Sequence, residues 1–143
     1  MTRLRHIAIA SKDPDGTSNY FANVFGMRIC GKIDSRNARG YYLSDGVINL
    51  AILQFKNAPA AGCSLDYVGL HHIGFEVDDI EATIERSIAA GCEPRHDVNI
   101  AQGLGANPHK DNAEFKLRGP EGMMIDVSQR GWVSAAPKGG QPE

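Results

Sequence analysis

Cysteine is scarce in this chain, aromatic side chains are few, and no hydrophobic run is long. The three cysteines, Cys30, Cys63 and Cys92, form no C-x-x-C pair and cannot all be disulfide-bonded, so a reducing, cytoplasmic setting is the expectation. Aromatics make up only 7% of residues, little support for a ligand trap walled by aromatic rings. The net charge of −2 comes without a basic stripe, which argues against a nucleic-acid binder. No apolar stretch approaches the ~18–20 residues a membrane span needs, and the opening Met1-Thr2-Arg3-Leu4-Arg5 reads as the start of a strand rather than a signal peptide.

What the chain does have is an internal echo. His6-Ile7-Ala8-Ile9-Ala10 returns as His72-Ile73-Gly74-Phe75-Glu76, and each copy leads into a helix-like stretch closed by a glycine, Gly26 or Gly91. A duplicated unit of this size predicts two similar halves packed about a pseudo-two-fold, with matching positions meeting at the seam. At 143 residues the chain suits one domain over residues 1–133, with modules at about 3–56 and 68–130.

In the first half, Arg3 to Ser11 alternates, with Ile7 and Ile9 on one face and His6, Ala8 and Ala10 on the other. Asp13-Pro14 supplies a cap and a first helical residue. Tyr20, Phe21, Val24 and Phe25 form an apolar stripe that Gly26 ends. Strands are predicted near 27–34, 39–44 and 47–55. In the second half, a strand over Leu70–Val77 precedes a helix capped by Asp78-Asp79, with Glu81 at capping-box spacing and Ile80, Ile84 and Ile88 on one face. Strands are predicted near 93–100, 113–118 and 123–129. Lys56 to Asp66 reads as a linker. Ala101 to Asn112, rich in Gly and Asn, reads as a lid or a mobile surface loop. Residues 134–143 read as a tail that is disordered or packed on a partner subunit.

Four polar residues stand where the alternation puts them away from the helices. Val47-Ile48-Asn49-Leu50 matches Met124-Ile125-Asp126-Val127, which makes Asn49 and Asp126 equivalent, and His6 and His72 oppose the isoleucine face of their strands. If the sheets curl, all four line one cleft. Two imidazoles and a carboxylate with open positions are the 2-His-1-carboxylate set that suits divalent metals. A cation would also offset the desolvation of a buried acid. His71 should point to the opposite face and stays outside the set. Glu76, on the His72 face, is the preferred proton-transfer base. Tyr42, Glu114 and Lys116 lie on faces from which they could touch substrate.

With "RHIAIASKDPDGTSNYFANVFGM", "LHHIGFEVDDIEATIERSIAAGC" and "RGPEGMMIDVSQ", the chain resembles the vicinal oxygen chelate superfamily of glyoxalases, epimerases, bleomycin-resistance proteins and dioxygenases. The resemblance implies an α+β fold of paired βαβββ modules, whose mixed sheet curls into a cleft with helices outside. It implies metal ligands on the first and fourth strands of each module, at His6, Asn49, His72 and Asp126, and places Gln54 near the cleft rim. A divalent Fe, Mn, Co, Ni or Zn ion, a small-molecule substrate held through adjacent oxygens and a homodimer follow from the same resemblance. Asn49 cannot act as a base, so a double-carboxylate glyoxalase mechanism is not expected. Three activities remain open: a metal-dependent lyase or isomerase stabilising an enolate or oxyanion, an iron(II) extradiol ring-cleaving dioxygenase, and a metal-free ligand-sequestering resistance protein.

Overall fold

A computed structural model describes residues 1–104 and 114–133. Seven strands form one mixed sheet: β1 (Arg3–Ala10), β2 (Arg28–Asp34), β3 (Ala38–Ser44), β4 (Asn49–Phe55), β5 (Gly69–Glu76), β6 (Phe115–Arg118) and β7 (Met124–Ser128). Their spatial order is β2-β3-β4-β1-β5-β7-β6. The antiparallel pairing of β1 with β5 joins the halves, and each of the two also pairs in parallel with its own module's last strand. Helix α1 (Pro14–Phe25) and helix α3 (Ile80–Ala89) each cover a small core. One core gathers Leu43, Leu50 and Ile52 with Ile7, Ile9 and Phe21. The other gathers Val77, Ile80, Ile84, Phe115, Leu117 and Val127. The period-two pleat therefore sorts the strands as read: branched apolar residues toward the helices, and His6, Asn49, His72 and Asp126 toward the other face.

The caps of the first half are those expected: Asp13 accepts from the Gly16 amide ahead of Pro14, and Gly26 takes the left-handed conformation that ends α1 (φ 71°). In the second half a carboxylate caps α3 as expected, but it is Asp79, accepting from the Ala82 amide, so Glu81 falls at the second helical position and the expected capping box does not form.

Several expectations are corrected. The stripe on α1 is largely solvent-facing: Tyr20, Val24 and Phe25 are 54%, 57% and 63% exposed. Pro14, Ser18, Phe21 and Ala22 face the sheet instead, and Tyr20 and Val24 are turned about 100° from that side. Ile88 is likewise half exposed. The linker contains a short helix, α2 (Ala58–Ala61), opened by the Asn57 side chain accepting from the Ala60 amide.

The strand expected near 93–100 is absent. Only an isolated bridge, Pro94 to Leu117, survives, and the chain turns into helix α4 (His96–Ala101). Proline cannot extend a ladder, and Asn99 takes over the edge of β6. Its Oδ1 accepts from the Lys116 amide at 2.9 Å, and its Nδ2 donates to the Lys116 carbonyl at 3.1 Å. One buried amide side chain thus stands in for a strand partner. Residues 105–112 of the expected lid and the tail 134–143 lie outside the described residues.

Candidate metal centre

β1, β5 and β7 bring His6, His72 and Asp126 together, all three buried. One ligand atom of each lies within 4.8 Å of the others, a grouping that could hold a metal ion. Whether it suits a cation depends on where the protons are, and the hydrogen bonds assign them.

Asn49 decides the first imidazole. Its Nδ2 donates to the Val133 carbonyl, which leaves Oδ1 as the acceptor facing His6 Nδ1 at 2.7 Å. His6 therefore carries its proton on Nδ1 and presents a bare Nε2 to the cleft. A relay decides the second. The carbonyl of Ala61, at the C-terminal end of α2 and free of an intrahelical partner, lies 2.8 Å from His71 Nε2, which must donate to it. His71 Nδ1 is then the acceptor for His72 Nδ1–H at 2.7 Å. His72 also presents a bare Nε2.

The two bare nitrogens are 3.1 Å apart, and His72 Nε2 is 3.1 Å from Asp126 Oδ2. Nitrogens each bound at ~2.1 Å to one ion, at angles between octahedral and tetrahedral, sit roughly 3.0–3.4 Å apart. Burial, the largest cause, pulls His6 down to about 4, with His72 adding to the shift. Burial and the Lys116 ammonium pull His72 down to about 3. Near neutral pH, then, the two imidazole lone pairs converge with no proton between them, and Asp126 Oδ2 lies beside His72 Nε2. Burial also raises the pKa of Asp126 against the pull of Lys116 and His6, and its Oδ1 has no partner among the described residues. This donor set fits a divalent cation.

Next to it, and meeting it at His72, lies a cavity of about 290 Å³ also walled by Tyr42, Ala51, Leu53, Glu114 and Lys116. Lys116 is 3% exposed; its Nζ donates to Asp126 Oδ2 at 3.2 Å and to the Glu114 carbonyl at 2.8 Å. Glu114 holds a left-handed backbone (φ 74°) that a non-glycine residue seldom adopts. Its carboxylate accepts from Trp132 Nε1 at 3.2 Å. The Trp132 ring stacks on His6 with centroids 4.7 Å apart and planes 1° from parallel. Burial pushes the Tyr42 hydroxyl pKa up, with Glu114 and Asp126 adding to it.

Not every expected residue joins this cluster. Glu76 accepts from Arg5 Nη1 at 3.0 Å and lies 3.6 Å from Arg3, beyond Gly74 and outside the cavity wall. Gln54 is on the helix-side face, where it accepts from Arg39 Nε and donates to the Lys12 carbonyl. Asn49 is engaged on the far nitrogen of His6. His71 was expected on the other face, but β5 carries an extra residue between Ala8↔His72 and Ile9↔Leu70. That bulge breaks the alternation and swings the His71 ring against His72. Trp132 was missed by the sequence reading, although it is the only tryptophan and follows closely on the strand that carries Asp126.

A profile of the Glyoxalase/Bleomycin resistance protein/Dioxygenase superfamily matches residues 3–127. The chain belongs to this superfamily. Solved structures with the same fold include a hypothetical protein from Bacillus halodurans C-125, 18% identical over 88% of this chain and 92% of that one, with a TM-score of 0.67. A variant of Streptomyces coelicolor methylmalonyl-CoA epimerase in complex with 2-nitronate-propionyl-CoA is 21% identical over 93% of this chain and 99% of that one, at 0.65. A variant of 4-hydroxymandelate synthase from the same organism is 12% identical over 91% of this chain and 38% of that one, at 0.67. No curated protein sequence matches the chain.

Proposed function

We propose that this superfamily member is a metal-dependent enzyme that holds a small molecule through adjacent oxygens and stabilises an oxyanion during a lyase- or isomerase-type proton transfer. The observation that carries the reading is the convergence of two bare imidazole nitrogens, His6 Nε2 and His72 Nε2, with the Asp126 carboxyl in a buried site. An Fe, Mn, Co, Ni or Zn ion held there would supply Lewis acidity toward a carbonyl oxygen. Asn49 and His71 act through the imidazoles, fixing tautomer and orientation. Tyr42 and Lys116 face the bound molecule from the wall. Glu114 replaces Glu76 as the proton acceptor, because Glu76 is committed to Arg3 and Arg5 whereas Glu114 lines the cavity with its backbone held in a strained conformation. The epimerase neighbours act on a thioester, which makes carbon acids next to a carbonyl the first substrates to try.

Two imidazoles with one carboxylate also favour a second reading, an iron(II) ring-cleaving dioxygenase. The test begins with chelator-treated protein titrated calorimetrically with each metal, followed by proton exchange of 2-oxo acids and acyl thioesters in deuterated water. One ion per chain and metal-dependent exchange are expected. His6→Ala and His72→Ala should abolish binding, while Glu114→Gln keeps the ion and slows exchange by about 100-fold. Oxygen uptake with catechols would move the assignment to the dioxygenase. A wild-type protein that takes up no metal would sink both readings and favour a ligand-sequestering protein. Pairing into a homodimer is part of the proposal, and sedimentation checks it against the 15.5 kDa chain.

A further inference from the structure

Lys116 is an unusual neighbour for a metal centre. Its ammonium is buried, and it donates to the same Asp126 oxygen that faces His72. Position and direction are both fixed by the backbone: Asn99 clasps the Lys116 amide and carbonyl, and the Glu114 carbonyl takes a second ammonium proton. The side chain is therefore tethered to the site, not swept across it by solvent. Asp126 supplies the set's one negative charge, and Lys116 already draws on it. We infer that Lys116 is a built-in competitor for Asp126 Oδ2 that sets the affinity and the selectivity of the metal centre.

Two physical consequences follow, resting on the metal-centre reading above. A unit positive charge within a few ångströms opposes a divalent ion strongly where water is excluded. With the carboxylate's charge compensated, binding relies on the two imidazoles. The site should then prefer ions with high affinity for nitrogen, such as Zn and Ni, and discriminate against ions that depend on oxygen ligands, such as Mn and Mg.

The experiment is calorimetric titration of chelator-treated wild type, Lys116→Gln and Lys116→Arg with Zn(II) and with Mn(II). Glutamine keeps a donor for Asp126 and loses the charge; arginine keeps the charge. Lys116→Gln should bind Mn(II) at least tenfold more tightly than wild type and gain less for Zn(II), and Lys116→Arg should stay within threefold of wild type. Glutamine affinities equal to or weaker than wild type would overturn the inference and leave the metal centre standing. If wild type binds nothing and the glutamine variant binds, competition is supported in its strongest form. If neither binds, the metal centre itself falls, and the inference with it. Should Lys116→Gln fail to fold, the Lys116 ammonium resonance of labelled wild type decides: it must shift on addition of one equivalent of Zn(II), and an unmoved signal overturns the competition.

Discussion

Removing the Asn99 clasp should loosen the protein by an amount the hydrogen bonds fix in advance. Asn99 is fully buried, and its amide serves both backbone groups of Lys116. In Asn99→Ala the Lys116 carbonyl keeps a donor, because the Arg95 amide reaches it at 2.9 Å. The Lys116 N–H keeps nothing among the described residues. A buried orphan of that kind costs about 1–3 kcal/mol, and the lost side-chain packing brings the expected loss to about 2–3 kcal/mol. With an unfolding entropy of roughly 0.3 kcal/mol/K for a chain of this length, Tm should fall by about 7–10 °C. Asn99→Asp tests the geometry more sharply. Its carboxylate would set one oxygen against the Lys116 carbonyl, so only the protonated acid can replace the amide. The folded-state pKa of that acid is therefore raised. The variant should be nearest to wild type below about pH 4 and lose stability as pH rises through the folded pKa. Differential scanning calorimetry of both variants between pH 4 and 8, each referenced to wild type, reads this out. A melting point for Asn99→Ala within 2 °C of wild type, or an Asn99→Asp penalty independent of pH, would refute the edge-clasp account.

Other consequences are more direct. In metal-free protein, His6 and His72 resist protonation down to about 4 and about 3, whereas the unfolded chain protonates them near 6.5; their contribution is whole above about pH 6.5 and is lost as pH falls toward 4, by a few kcal/mol in order of magnitude. Urea denaturation of His72→Ala should show a shallower acid slope than wild type over that window. Trp132, the sole tryptophan, stacks on His6, so Co(II) should quench its fluorescence and saturate at one equivalent; an identical quench in His72→Ala would place the ion elsewhere. Gly74→Ala would bring a Cβ to 2.8 Å from the Trp132 ring and 2.9 Å from the Cβ of His6, displacing the indole; thermal denaturation should register about 1–3 kcal/mol, and blue-shifted or unchanged emission with full stability would contradict that packing.

The sheet and its faces were legible because the relevant signal is local. A period-two pleat assigns every residue of a regular strand to one side, and the repeat then pairs His6 with His72 and Asn49 with Asp126 without any coordinates. That logic fails wherever the ladder is interrupted. His71 needed only one extra residue in β5 to change sides. Residues 93–100 carry apolar positions that suit a strand or a short helix, and the choice was settled by Pro94 and by an asparagine bonding to a strand remote in sequence. The α1 stripe failed for another reason: hydrophobicity was read as burial, while Ser18 and Ala22, being small, are what allow the helix to approach the sheet.

Proton placement in the site was beyond any local reading, and its origin explains why. The duplication supplies the two imidazoles symmetrically, but their supports are unrelated. His6 is oriented by Asn49, whose amide is turned by the Val133 carbonyl, past the last strand of the opposite module. His72 is oriented through His71 by the Ala61 carbonyl, at the end of a helix lying between the modules. Each bare Nε2 therefore depends on a backbone oxygen contributed from outside its own repeat. Truncating the chain after Ser128 would remove Val133 and Trp132 while leaving all three acceptor residues in place. Asn49 could then rotate, His6 would be free to carry its proton on either nitrogen, and the convergence of lone pairs would be lost on one side only.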